Sequence, residues 1–397
     1  MARLTPLCAL LAGAAAMGCG GSSSAPTSPG PGGGGPGPSP SLIASVPIPE
    51  NYGIHDTYVR DGVVFVFAWN SGVMIYDIGG AGRGGTPANP VLVSSFVTSG
   101  GEVHNGWWFH NPVSGQNRYL FIGQEGPGIV GSSSSGDIHV VDVSDLAAPV
   151  EVAFFHLGDV GGKSTGTHNF WLDEQAQLLY AAYYNGGVVA LDVSGTLSGD
   201  LAAQGRLLAN VQPGGPGNTY VWGVQQAEGA VYALDMLSGL WKLSSGTLAP
   251  LGGGNNVPER FSSDLWVQNG YAYTGTWGTR GTVPGNAVKI WSVGVGSPVL
   301  VDSIITPGIG TVSDVQVSPS GTLLMFSTEH GINQGIWFYR LTDPARPILI
   351  SSYLVSSQSL GVHTATLAPY NGRLYLFAAR DPSGAALLVF DVTALDQ

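Results

Sequence analysis

The chain is poor in the residues that would make it disulfide-bonded, basic or helical. Of 397 residues only two are cysteine, Cys8 and Cys19, both near the start. No pair remains further along to form a disulfide, so the bulk of the chain is held by its core alone. Lysine and arginine total 14 against 26 aspartates and glutamates, with no basic run or stripe. That balance excludes a nucleic-acid partner. No stretch of a dozen residues repeats apolar side chains at a spacing of 3.6, which excludes a helical bundle. No apolar run is long enough to span a bilayer as a helix.

What is present begins with an export signal. Arg3 supplies the positive start, "LTPLCALLAGAAA" the apolar centre and "AMGC" the small-residue exit at Cys19. "AMGC" followed by "GGSSS" resembles the lipobox of bacterial lipoproteins, with Ala16 where leucine is commoner. The resemblance implies a lipid on Cys19 and a membrane as one partner. Residues 20–41 are almost wholly Gly, Pro and Ser and cannot offset their ordering entropy, so they read as a disordered tether. Residues 42–397 are long enough to bury a sizeable core.

That stretch repeats. Lined up on one motif, it reads "IHDTYV" at 54, "VHNGWW" at 103, "THNFWL" at 167, "VWGVQQ" at 221, "SSDLWV" at 262, "VSDVQV" at 312 and "VHTATL" at 362. The mean step is about 51 residues, a propeller-blade period. Each opening is followed by an apolar run such as "VVFVFAW" or "LLMFSTE", a Gly-containing turn and a third strand such as "GVVALDVS". In most repeats a fourth strand follows a proline, as in "NPVLVSSF" and "RPILISSY". Seven units of four antiparallel strands predict an all-β, seven-bladed β-propeller. The seventh repeat ends without a fourth strand, and "LIASVPIPENYG" before the first repeat resembles the end of repeat six. Leu42–Ile48 is therefore expected to complete the last blade, closing the ring and removing a free sheet edge.

"GVMIYDI", "NPVLVSSF" and "GDIHVVDVSDLAAPVEVAFF" resemble the LVIVD-repeat family of bacterial propellers, most closely in repeats one to three, six and seven. Repeats four and five depart from the pattern: "GLWKLSS" and "AVKIWSV" lack its terminal Asp. The resemblance implies a propeller displayed as a lipoprotein in the periplasm or at the cell surface, in a family without an assigned activity.

First strands of blades line the central channel, so the repeat openings place His55, Asp56, His104, Asn105, His168, Asn169, Trp222, Asp264, Asp314 and His363 in a ring at its mouth. The four histidines fall in circularly adjacent repeats, and imidazoles converging on an axis can hold a transition metal. The arrangement is similar to that of carotenoid-cleaving oxygenases, propellers of the same blade number whose iron is held by four axial histidines. The likeness is one of architecture alone. Because Asp replaces His in repeats five and six, a structural polar lining is the favoured reading. Spacing along the chain does not say whether four side chains can converge across a seven-bladed channel.

Turns between second and third strands add Glu125, Glu329, His330, Arg380 and Asp381 to the same face. They could serve acid–base work or hold a divalent cation, as in propeller lactonases. Asp77, Asp142, Asp192 and Asp391 sit at strand ends and read as turn caps. Trp107, Trp108, Trp171 and Trp266 are expected to pack between blades, and "GGAGRGG" lacks the Lys-Ser/Thr of a phosphate loop. The sequence thus favours a non-enzymatic binding or scaffold module with a protein, carbohydrate or small-molecule ligand on its top face. A metal-dependent oxidase, oxygenase or lactonase is the alternative.

Overall fold

Consecutive apolar residues in each repeat become a strand buried on both faces, which only a sheet sandwiched between two others allows. In the computed structural model, which describes residues 38–50, 53–125, 134–254 and 258–397, Val63–Phe67 is buried at all five positions and Leu323–Glu329 at all seven. The proposed signal, Cys19 and nearly all of the tether lie outside the described residues.

Seven four-stranded antiparallel blades are arranged around one axis. Blade 1 runs outward through Asp56–Arg60, Val63–Phe67, Val73–Asp77 and Val91–Phe96. The inner strands of blades 2 to 7 are Val103–Asn111, Phe170–Asp173, Val221–Ala227, Phe261–Gln268, Thr311–Val317 and Val362–Tyr370. Each inner strand touches the next around the ring, and the last touches the first. Ser41–Pro47 pairs antiparallel with Ala386–Asp391, so the last blade takes its outer strand from before the first blade, as expected. Blade 2 gains a short fifth strand, Gly199–Asp200, which lies parallel to its outer edge.

The core lies between blades, not within them. One cluster joins Phe65, Phe67 and Ile75 of blade 1 to Trp108, Leu120 and Val141 of blade 2. Another joins Phe377 and Val389 of blade 7 to Val64 and Tyr76 of blade 1 and includes Ile48, just past the closing strand. The ring closure is therefore packed like the other blade interfaces.

The register of the inner strands shapes the axis. Pairing to the second strand slips between Val103 and Asn105, Val221 and Gly223, Ser262 and Leu265, Val312 and Val315, and Val362 and Ala365. Each slip falls on the repeat-opening motif. A bulge there re-aims a side chain out of the normal alternation, and in blades 2 and 7 that residue is a histidine. His55 and His168 lie just ahead of their strands, outside the pairing. Gly106 follows the blade 2 bulge because a Cβ there would come within 2.4 Å of Phe67.

Candidate functional site

The four histidines meet. His104 stands at the middle, its ring centroid 3.5 Å from that of His55 and 4.1 Å from that of His168. His55 and His363 face each other Nε2 to Nε2 at 2.8 Å. His55, His104 and His168 are all less than a tenth exposed.

A second tier, from the ends of the second strands together with Trp222 of the blade 4 inner strand, wraps these rings. Glu329 Oε1 lies 3.1 Å from His363 Nδ1, and Asp381 offers a further carboxylate beside the same pair. Glu125 Oε2 is 3.7 Å from His104 Nδ1, too far for a hydrogen bond, while Oε1 accepts from the Tyr184 hydroxyl. Trp69 meets His55 edge-on at 4.6 Å, Trp222 stacks on His168 at 4.8 Å and Trp277 stands 4.7 Å from Trp222. Trp69 and Tyr184 occupy equivalent turns with φ of 50° and 43°. The left-handed region is costly for bulky residues and is found where a side chain must be aimed.

Burial sets the charges. It holds His55, His104 and His168 well below the usual imidazole range, and the facing imidazoles push the same way. Burial also acts against a charge on His363, but Glu329, hydrogen-bonded to it, raises His363 to about 10. Burial opposes ionisation of Glu329 too, and the same partner brings it down to about 2. Burial raises Glu125, and burial next to Glu329 raises Asp381. The centre is three neutral imidazoles beside one imidazolium–carboxylate pair.

Among the described residues, His55 Nδ1, both nitrogens of His104, His168 Nδ1 and Glu125 Oε2 make no well-formed hydrogen bond, with Asn169 the polar side chain next to His104. A buried polar atom left this way costs about 1–3 kcal/mol. One nitrogen each from His55 and His104 and one oxygen of Glu125 lie within 4.8 Å of one another, a spacing that small shifts would close around an ion. Two ligands at about 2.0–2.1 Å from a metal and at right angles to each other are about 2.9 Å apart; tetrahedral ligands are about 3.3 Å apart. The Nε2–Nε2 separation, a hydrogen bond from the His363 imidazolium to His55, is also the spacing of two ligands at a right angle. The donors suit a transition metal that accepts several imidazoles.

The other ring residues sit one step along the axis. Asp56, Asn105, Asn169, Asp264 and Asp314 line a cavity of about 260 Å³. Burial raises Asp264, with Asp314 adding to the effect, and also raises Asp314. Burial, again with Asp314, brings Asp56 to about 7. His330 is exposed, and Arg380 turns back to the Gly384 carbonyl, so neither joins the centre. Trp108 packs between blades as expected; Trp107, Trp171 and Trp266 also pack against inter-blade clusters and line the axial cavity as well. Inner-strand alternation gives these three an axial face in addition to the packing role read from their spacing. Asp77, Asp142, Asp192 and Asp391 cap turns, and the "GGAGRGG" loop closes around the Asp77 carboxylate with four backbone N–H groups.

The sequence reading missed Trp69, Tyr184 and Trp277. All three stand at the end of a second strand or within two residues past it, in "FAWN", "AYYN" and "GTWG", and that position was the available signal.

Fold and site together define a seven-bladed β-propeller with a histidine cluster on its axis. Solved propellers are similar to it in shape. A chain of the mitotic checkpoint complex matches with a TM-score of 0.63 at 12% identity, covering 94% of this chain and 99% of that one. The β-propeller domain of Cps50 (Swd1) from Myceliophteria thermophila gives 0.60 at 10% identity, over 89% and 100%. The WD40 propeller domain of Doa1 gives 0.59 at 10% identity, over 89% and 96%. At such identity the likeness is one of fold. No protein-family model and no curated protein sequence matches the chain.

Proposed function

We propose that this protein is a metal-binding propeller in which His55, His104, His168 and His363 hold one transition-metal ion on the axis. The observation that carries the reading is the approach of four imidazoles, among which His55 Nδ1, both nitrogens of His104 and His168 Nδ1 make no well-formed hydrogen bond to the described residues. His363 would give up its proton on the Nε2 side and keep Nδ1–H on Glu329, the carboxylate–histidine–metal relay that orients ligating histidines. Glu125 would serve the blade 2 and 3 side. In this reading the protein acts outside the cytoplasm, carried on a lipid at Cys19, and the resemblance of "AMGC" to a lipobox supports that address.

A second reading, a metal-dependent oxidase, oxygenase or lactonase, is favoured by one observation. The axial cavity begins at Asp56, Asn105 and Asn169, each directly after a histidine of the centre, so a substrate there would lie one residue from the metal.

Titrating metal-free full chain with Co(II) tests the first reading. We expect a ligand-field spectrum saturating at one equivalent in the native protein and lost in His104→Ala. The native protein failing to develop the spectrum, or His104→Ala developing it fully, would refute the reading.

A further inference from the structure

Below the histidines the axial cavity changes character. Three carboxyl groups line it, Asp56, Asp264 and Asp314, and no lysine or arginine does. The nearest arginine further along the inner strands, Arg60, is held by both oxygens of Glu174 at 2.6 and 3.2 Å. Asn105 also lines the cavity; it is 3% exposed, and its Oδ1 acceptor has no hydrogen-bond partner among the described residues.

One residue-pair further along, the wall is aromatic. Tyr58 and Trp107 lie 5.3 Å apart, Trp107 and Trp171 5.3 Å, and Trp171 and Trp266 6.0 Å, centroid to centroid. Their planes are inclined to one another by 45°, 61° and 74°, so they form a curved wall and not a flat platform. Trp107 Nε1–H donates to Glu174 and Trp266 Nε1–H to Gln268, which fixes two of the indoles. A flat platform suits the face of a sugar ring. Electron-rich rings inclined around a space suit a cation, above all an organic ammonium, which is attracted to ring faces and is cheap to dehydrate. At about 260 Å³ the space lies near the lower end of small-molecule sites, about 300–1,000 Å³.

From the aromatic arc, the three carboxyl groups with no lysine or arginine facing them, and the cavity they share, we propose that the channel binds a small organic ammonium ion. The cationic head lies among Asp56, Asp264 and Asp314, and the carbon portion lies against Trp107, Trp171 and Trp266. The site is distinct from the histidine centre and stands whether or not that centre holds a metal.

The test is calorimetric titration of the full chain with benzyltrimethylammonium chloride, a cation with no lone pair and so unable to ligate a metal. We expect saturable one-to-one binding, with benzyl alcohol and methyl glucoside at least about tenfold weaker. Asp264→Asn and Trp171→Ala should each weaken the cation by about tenfold or more. Trp171→Phe keeps a ring if removal of the indole unfolds the blade, and should bind at intermediate strength. His104→Ala should leave cation binding within about twofold, which separates this site from the metal reading. Equal binding of benzyl alcohol, preference for the glucoside, or no effect of Asp264→Asn would overturn the proposal.

Discussion

His55 and His363 face each other Nε2 to Nε2 at 2.8 Å although 308 positions separate them in the chain. The contact crosses the seam where blade 7 meets blade 1, so the histidine centre depends on ring closure. Backbone and side chains seal the same seam. The Thr364 hydroxyl donates to the His55 carbonyl, and the Thr366 hydroxyl to the Thr57 carbonyl.

Deleting Ser41–Pro47 should lower the melting temperature of the full chain and broaden its transition. It strips the outer strand from Ala386–Asp391 and uncovers the cluster around Ile48. Ile48→Ala, a milder change, should cost about 2–5 kcal/mol. Differential scanning calorimetry checks both, and an unchanged transition in the deletion would contradict the closure.

Asp77 predicts a defined acid sensitivity. Burial works against its charge, but the N–H groups of Gly79, Ala81, Arg83 and Gly85 prevail and bring it to about 2. An unfolded aspartate titrates near 3.9, so the folded state binds the proton less readily. The stabilisation is fully present above about pH 4 and is lost as pH falls toward 2, amounting to about 2 kcal/mol. Urea unfolding at pH 6 should show Asp77→Asn less stable by about that amount. At pH 2.5 the gap between the two proteins should shrink.

Glu329→Gln should weaken metal binding by about 10- to 100-fold without unfolding the protein, because it removes the charge that orients His363. Competition with a chelator of known affinity measures this. Glu329→Asp, which keeps the charge on a shorter arm, should recover part of the loss.

Cys19→Ala should move the protein from the membrane fraction to the soluble fraction of a bacterial host, and the diacylglyceryl mass should disappear from its N-terminal peptide. Persistence in the membrane fraction would contradict the anchor.

The fold was legible because sandwiched second strands must be apolar at consecutive positions, and seven such runs recur at a propeller period. The closing strand was legible because residues 42–53 repeat the outer-strand pattern of blade 6. The ring of polar residues was legible as a set, but its splitting into two tiers was not. Bulges at residues such as His104 and His363 turn their side chains out of the expected alternation, and spacing along a chain does not reveal a bulge. The same limit hid the axial face of Trp107, Trp171 and Trp266, whose packing between blades was legible but whose exposure to the cavity depends on register. Trp69 and Tyr184 went unseen because they follow the strands, in turns whose left-handed backbone the sequence "WN" or "YN" only permits.

The most direct measurement is the metal content of the purified full chain, compared between the native protein and one with His55, His104, His168 and His363 all changed to alanine. Elemental analysis of the native protein should find one transition-metal ion per chain. The variant, verified as folded by its circular dichroism, should hold none. Less than a tenth of an equivalent in the native protein after growth and reconstitution with iron, copper and zinc would contradict the account. So would a full equivalent retained in the variant.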